Sequence, residues 1–97
     1  MSEPYVLSRL ALQDLTEICN YTARRNLEAA ERVIEEIDAA FLKLAAHDEM
    51  GHVREDLAPR SYRFWPIYSY LIIYRPNTLP LEIARVWHAA QRQPRLI

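Results

Sequence analysis

The chain has 97 residues and one cysteine, which suits a single domain spanning residues 1–97 and excludes an internal disulfide bond. Hydrophobic residues make up 51% of the chain, too many for a disordered protein, and its apolar runs are far shorter than the roughly 20 residues of a membrane span. The start, Met1–Pro4, has no signal-peptide pattern, so we expect a cytoplasmic protein with no membrane partner.

Charge is distributed unevenly along the chain. Residues 1–50 carry five Lys or Arg and ten Asp or Glu, for a net charge of −5. Residues 51–97 carry seven Arg and three acids, for a net charge of +4. A basic end can contact an acidic protein or a nucleic acid, although uneven helices on an ordinary soluble surface explain the same pattern.

The first half of the chain predicts a short strand followed by two helices. Tyr5–Leu7 is predicted as a strand, and Ser8 is a typical N-cap for a helix from about Arg9 to Arg24. Asn26 caps a second helix, predicted from about Leu27 to Ala46. Because the connection between the helices is short, we expect an antiparallel hairpin.

Apolar residues recur at helical spacing in both helices and predict the faces that pack inward. The inward stripe of the first helix is Ala11, Leu15, Ile18, Cys19 and Thr22, and that of the second is Ala30, Val33, Ile34, Ile37, Phe41 and Leu44. Asp14 falls on the outer side of the first helix, and Cys19 is expected to pack rather than react. Gly51, the only glycine, is expected to adopt a left-handed or turn conformation.

The last third predicts three strands in meander order. The runs Tyr62–Arg75 and Leu81–His88 are rich in β-branched and aromatic residues, and turn residues separate them at Pro76–Pro80. The predicted fold is α+β, a two-layer β-α-α-β-β-β arrangement with the helical hairpin on one face of a small, mainly antiparallel sheet. The first strand is expected to run antiparallel to the second and fourth strands.

The alternation of side chains along a strand predicts two faces for this sheet. One face, expected to lie against the helices, comprises Tyr62, Phe64, Tyr70, Ile72, Tyr74, Ala84 and Val86. The other, expected to be open except under the tail at residues 89–97, comprises Arg63, Trp65, Leu71, Ile73, Ile83, Arg85 and Trp87. Exposed Trp, Leu, Ile and Arg side chains are typical of an interface, so the open face is predicted to bind a partner.

In this order of elements the sequence resembles the RelE/ParE superfamily of toxins from type II toxin–antitoxin pairs. The resemblance is carried by Tyr5–Ser8 with Asp14–Leu15, and by the segments Gly51–Leu57, Tyr70–Arg75 and Ile83–His88. It covers nearly the whole chain and is closer to the ParE, or plasmid-stabilisation, branch. It implies a toxin that a cognate antitoxin holds inactive in a hetero-oligomer, with operator DNA reached only through the antitoxin. We expect the antitoxin to place an amphipathic helix or strand against the helical hairpin and the sheet.

The two branches of the superfamily imply different targets. ParE-like members mostly poison DNA gyrase by binding it and have no known catalytic residues, whereas RelE-like members cut mRNA on the ribosome. Partner binding is predicted at Arg63, Trp65, Leu71, Ile73, Arg85, Trp87 and Arg92. A third possibility is a non-toxic member that only binds its antitoxin.

Cleavage of RNA would need a base, an acid and cations on the phosphate, for which the candidates are Arg63, Arg85 and His88. Basic positions of the RelE-type nucleases are replaced at Trp65, Leu71 and Ala89–Ala90, which favours gyrase binding over catalysis. His47 and His52 do not match the spacing of a zinc site, so neither a metal nor a cofactor is predicted.

Overall fold

The computed structural model describes residues 3–90 and 94–96 and has the predicted α+β architecture. Two helices pack against one face of a four-stranded mixed sheet with strand order β1-β4-β3-β2. The elements are β1 (Tyr5–Leu7), α1 (Arg9–Arg25), α2 (Leu27–Ala46), β2 (Arg63–Ile67), β3 (Tyr70–Arg75) and β4 (Leu81–His88).

Polar side chains start both helices where the sequence predicts them. The Ser8 hydroxyl accepts a hydrogen bond from the Ala11 N–H at 3.0 Å, and the Asn26 side chain accepts one from the Ala29 N–H at 3.1 Å. These bonds satisfy donors that the first turn of a helix leaves without an intrahelical partner. Asn26 also ends α1, so a single residue forms the tight corner of the hairpin.

The direction of β1 differs from the prediction. β1 runs parallel to β4, with Leu7 opposite Ile83, and not antiparallel to it. The prediction was wrong because it let α2 lead directly into β2. Instead, residues 47–62 return along the sheet first, and His52 forms an antiparallel bridge with Phe64 before β2 begins. This return reverses the direction of all three later strands relative to β1.

Pairing between β2 and β3 reverses the predicted face of β2. Phe64 lies opposite Ile73, and Trp65 lies opposite Ile72. Residues directly opposite one another share a face, so Arg63 and Trp65 face the helices, and Phe64 faces away from them. The prediction for β2 was wrong because the two-residue turn pairs odd positions of β2 with even positions of β3.

A β-bulge in β4 corrects two further assignments. Ile73 pairs with Arg85, but the next residue, Tyr74, pairs with Ile83, so Ala84 is inserted between the two pairs. An inserted residue shifts the alternation of side chains by one position. Ile83 therefore packs toward the helices and Ala84 away from them, the reverse of the prediction. Tyr62, also predicted on the helix side, packs on the opposite side.

Side chains from both layers form the main core between the helices and the sheet. Its buried members are Ala11, Ile18, Ile37, Phe41, Leu44, Ile72, Tyr74, Leu81, Ile83 and Val86. The predicted inward stripes of both helices contribute to it. A second, smaller cluster of Phe64, Ile73, Ala84 and Ala58 lies on the other side of the sheet, which we call the sheet face.

Gly51 is required for a close approach and does not adopt a left-handed conformation. A Cβ atom there would lie 2.4 Å from the Tyr74 hydroxyl oxygen, closer than any ordinary contact. The Gly51 N–H donates to that hydroxyl at 2.8 Å, and the hydroxyl donates to the Asp48 carbonyl at 2.7 Å. Positive φ angles occur instead at Tyr68 and Asn77, in the two turns of the meander.

Candidate partner-binding site

The sheet face is largely covered by the chain itself. Leu71, Ile73 and Trp87 lie on this face as predicted, but Ile73 is 0% exposed. Its cover comes from Leu57 and Ala58 in the connection before β2, and from Leu96 in the tail. The expectation that only the tail could cover this face was therefore wrong.

Two predicted partner-binding residues on β2 make contacts within the chain. The Arg63 guanidinium donates to the Gly51 carbonyl at 2.9 Å, and the Trp65 ring stacks on His52 with centroids 6.4 Å apart. Both therefore support the connection after α2. Arg92, the last predicted partner-binding residue, lies outside the described residues.

Arg85 forms a nearly buried ion pair with Asp14. Its Nε and Nη2 atoms each donate to a carboxylate oxygen of Asp14 at 2.7 Å, and the two side chains are only 12% and 11% exposed. These hydrogen bonds raise the pKa of Arg85 above its ordinary value. A bidentate pair neutralises the charge that a partner or phosphate would otherwise meet. Asp14 thus packs inward, contrary to the prediction from its position on α1.

The three residues that RNA cleavage would require do not come together. Arg63 belongs to the row of the sheet that contains Tyr74, and His88 to the row that contains Tyr70. Four strand residues separate the rows, which is about 13 Å along the sheet. Arg63 faces the helices, whereas Arg85 lies opposite Ile73 on the sheet face and is paired with Asp14. The arrangement does not form a common phosphate site.

Four of the exposed large apolar side chains lie on the helical hairpin. Leu12 and Tyr21 on α1 are 57% and 55% exposed, and Leu27 and Leu42 on α2 are 65% and 46% exposed. A partner that covers these side chains removes their apolar area from water, which favours association. The hairpin is therefore an apolar surface that the described chain leaves uncovered.

A groove runs between the two helices and joins part of this surface. Two depressions of about 310 and 270 Å³ share Ile34 and Glu35. The apolar residues that line them from both helices are Leu15, Cys19, Leu27, Ala30, Ile34, Ile37 and Phe41. We call this feature the hairpin groove. Leu15, Cys19 and Ile34 were predicted as core, but they pack only partly and line the groove floor.

Carboxylates border the hairpin groove on one side. Glu31, Glu35 and Asp38 recur along α2 at intervals of four and three residues, which places them on one edge of the helix. At the far end the Tyr5 hydroxyl donates to Asp38, and its ring packs on Phe41 with centroids 4.9 Å apart. Burial and this hydrogen bond raise the pKa of Tyr5 to about 12. The groove thus combines an apolar floor with an acidic rim.

The sequence predicted an antitoxin against the hairpin and the sheet, but it did not identify the groove or the residues that line it. A stripe of apolar residues predicts which side of a helix is buried. It does not tell whether the sheet of the same chain or a binding partner buries that side. The available signal was the width of the stripe. Leu27 lies outside the predicted inward stripe of α2, yet it lines the groove.

The described part of the chain contains neither a cluster of metal-ligating side chains nor a helix that could span a membrane. Among those residues, no three His, Cys, Asp or Glu side chains are gathered closely enough to hold a metal ion. No helix within residues 3–90 and 94–96 is both long and apolar enough to cross a membrane.

Comparison with known proteins identifies the family of this chain. Residues 5–93 match the family model described as the ParE toxin of the type II toxin–antitoxin system parDE. The chain is 36% identical over 87 residues to Toxin ParE1 of Caulobacter vibrioides, covering 89% of this chain and 88% of that protein. It is 28% identical over 83 residues to Toxin RelE3 of the same organism, covering 86% and 90%. The chain therefore belongs to the ParE toxin family of type II toxin–antitoxin systems.

Proposed function

We propose that a cognate antitoxin neutralises this toxin by laying an amphipathic helix in the hairpin groove. The observation that carries the proposal is the apolar floor of the groove beside exposed Leu27, which is 65% exposed in the chain alone. A groove between two helices accepts a third helix through apolar anchors spaced along one face. The complex is then a hetero-oligomer, and operator DNA is contacted only through the antitoxin.

The acidic rim narrows the chemistry of the bound helix. Glu31, Glu35 and Asp38 border one side of the groove, and the first 50 residues carry a net charge of −5. A helix with Lys or Arg beside its apolar stripe complements this rim and associates faster at low salt. We therefore expect antitoxin association to slow as ionic strength rises.

Replacement of one groove residue tests this interface. Leu27→Ala removes an exposed apolar anchor without opening a cavity in the free protein, so the fold should be retained. We expect antitoxin binding to weaken by about tenfold, the effect of losing about 1.4 kcal/mol of interface burial. Isothermal titration calorimetry of the purified proteins measures the change.

Leu79→Ala is the matched control, because Leu79 is 96% exposed in the turn between β3 and β4 and lies outside the groove. Equal effects of the two substitutions would contradict the proposal. Cys19, the single cysteine, adds an independent readout. Its modification by a maleimide, followed by mass spectrometry, should slow when the antitoxin is bound.

For the free toxin we propose DNA gyrase as the target, inhibited by binding. Support comes from membership of the ParE family and from the separation of Arg63, Arg85 and His88. A supercoiling assay with and without the purified toxin provides the test. Loss of supercoiling, restored by antitoxin, is expected. Growth arrest with active gyrase would instead move the target to translation, and absence of growth arrest would indicate a non-toxic member.

A further inference from the structure

The Arg85 guanidinium joins three separate parts of the chain. On one side it donates to both carboxylate oxygens of Asp14 on α1, at 2.7 Å each. Its remaining nitrogen, Nη1, donates to the carbonyl oxygen of Arg95 in the tail. The guanidinium also lies over the Trp87 ring, 4.9 Å from its centroid.

The unpaired edge of β4 explains why Asp14 is fixed. β1 is only three residues long, and its pairing with β4 ends at Ile83. Beyond that point α1 replaces the missing strand. The Ser8 hydroxyl donates to the Ala84 carbonyl at 2.7 Å, and Asp14 accepts the Val86 N–H at 3.0 Å. The carboxylate is therefore held by backbone as well as by Arg85.

The described part of the tail contacts the sheet through Arg95 and Leu96. Its carbonyl at Arg95 accepts the hydrogen bond from Arg85, and the Leu96 side chain packs against the cluster that contains Ile73 and Ala84. A hydrogen bond from a charged donor is stronger than one between neutral groups. Asp14 holds the guanidinium plane in place, so the donor is oriented before the tail arrives.

We infer that the Asp14–Arg85 pair is a latch that positions the C-terminal tail over the sheet face. Arg85 is the positioning residue that touches the tail, and Asp14 acts on the tail through Arg85. The pair joins residues 71 positions apart in the sequence, so a change on α1 alters the tail at the other end of the chain. Opening the latch exposes Leu96 and the part of the sheet face that Leu96 covers.

Digestion of the purified full-length chain by carboxypeptidase Y tests the latch. Mass spectrometry follows the release of Leu96 and Arg95 with time. In Asp14→Asn and Arg85→Lys, we expect release about tenfold faster than in the wild type, because each variant loses a charge-assisted or bidentate contact. Near-ultraviolet circular dichroism identifies the variants that keep the native fold.

Matched controls separate the latch from general effects of charge and packing. Glu36→Gln neutralises an exposed acid on α2, and Arg75→Lys alters an exposed arginine on β3 that pairs with Glu82. Neither should change the release rate. Leu96→Ala should accelerate release without disturbing Asp14.

The latch is overturned if Leu96→Ala accelerates release while the pair variants that keep their fold, Asp14→Asn and Arg85→Lys, release the tail at the wild-type rate. Should Asp14→Asn lose its fold, Arg85→Lys decides the question alone. If both variants unfold, hydrogen exchange at the tail amides of the wild type and of Leu96→Ala decides the question. Slow exchange in the wild type that becomes fast in Leu96→Ala assigns the tail to packing. Residual protection of the tail in Leu96→Ala supports the latch. No antitoxin or gyrase enters the experiment, so its outcome is independent of the proposed function.

Discussion

At the scale of single residues, a few polar side chains connect separate parts of the fold. Ser8, Asp14 and Tyr74 each hold two parts of the chain together through buried or partly buried hydrogen bonds. A buried polar group without a partner is costly, and no buried side-chain nitrogen or oxygen among the described residues lacks one. These residues are therefore more sensitive to substitution than the exposed leucines of the groove.

Gly51→Ala is expected to destabilise the protein. The new Cβ would meet the Tyr74 hydroxyl oxygen at 2.4 Å and the ring carbon Cε1 at 2.8 Å, so the buried ring must shift. Overpacking of this kind costs about 1–3 kcal/mol of unfolding free energy. Urea denaturation measures the loss.

Tyr74→Phe provides the control for this argument. It removes the oxygen that lies closest to the new Cβ, so Gly51→Ala should cost less in the Tyr74→Phe background than in the wild type. Equal costs in both backgrounds would show that the two sites are uncoupled and that the close approach is not the cause.

At the scale of elements, the start of α1 is tied to the sheet and the start of α2 is not. Ser8 caps α1 and also donates to the Ala84 carbonyl in β4. Asn26 caps α2 through a bond that is exposed to solvent. The difference follows from topology, because β1 delivers the chain to α1 directly beside β4.

Removing the two caps should therefore have unequal effects. Asn26→Ala is expected to cost about 1 kcal/mol, the usual value for a lost N-cap. Ser8→Ala is expected to cost about 2 kcal/mol, because it also leaves the Ala84 carbonyl without its donor. Thermal and urea unfolding of both variants measure the difference. A larger loss in Asn26→Ala would contradict the role assigned to Ser8.

At the scale of the whole molecule, the two layers differ in how much cover they receive. The connection at residues 47–62 and the tail close the sheet face, whereas nothing in the described chain covers the hairpin groove. The position of the long connection in the fold therefore decides which apolar surface is left for a partner. A partner that binds only the folded toxin also raises its stability by mass action.

Stability should fall at alkaline pH because of Tyr5, which connects β1 to α2. The folded protein raises the pKa of Tyr5 from 10.0 to about 12, so it holds this proton more tightly than the unfolded chain does. The stabilisation that comes from this raised pKa is fully present below pH 10 and is lost as the pH rises toward 12. The free energy of unfolding, measured by urea denaturation at each pH, should fall more steeply for the wild type than for Tyr5→Phe.

Tyr21→Phe is the control for the alkaline prediction, since the Tyr21 side chain is 55% exposed on α1. Its unfolding free energy should follow the wild-type pH dependence. Parallel curves for wild type and Tyr5→Phe between pH 10 and 12 would contradict the role of the Asp38 contact.

Local sequence patterns by themselves determined the elements and the family. Ser8 and Asn26 mark the helix starts, helical spacing predicts both inward stripes, and β-branched and aromatic runs predict β2 to β4. Each signal depends on neighbours within one or two turns, so no partner from elsewhere in the chain is needed to interpret it. The order of these elements also carried the resemblance to the toxin family, which comparison with known proteins confirms.

Only the tertiary structure decided register, direction and cover. The two-residue turn before β3 and the bulge at Ala84 each shift the alternation of side chains, which exchanges the faces of Trp65 and Ile83. A slip of one position exchanges the two faces of a strand, and the sequence of that strand is compatible with both registers. The Asp14–Arg85 pair likewise depends on contact between α1 and the free edge of β4, because no local pattern connects residues 71 positions apart.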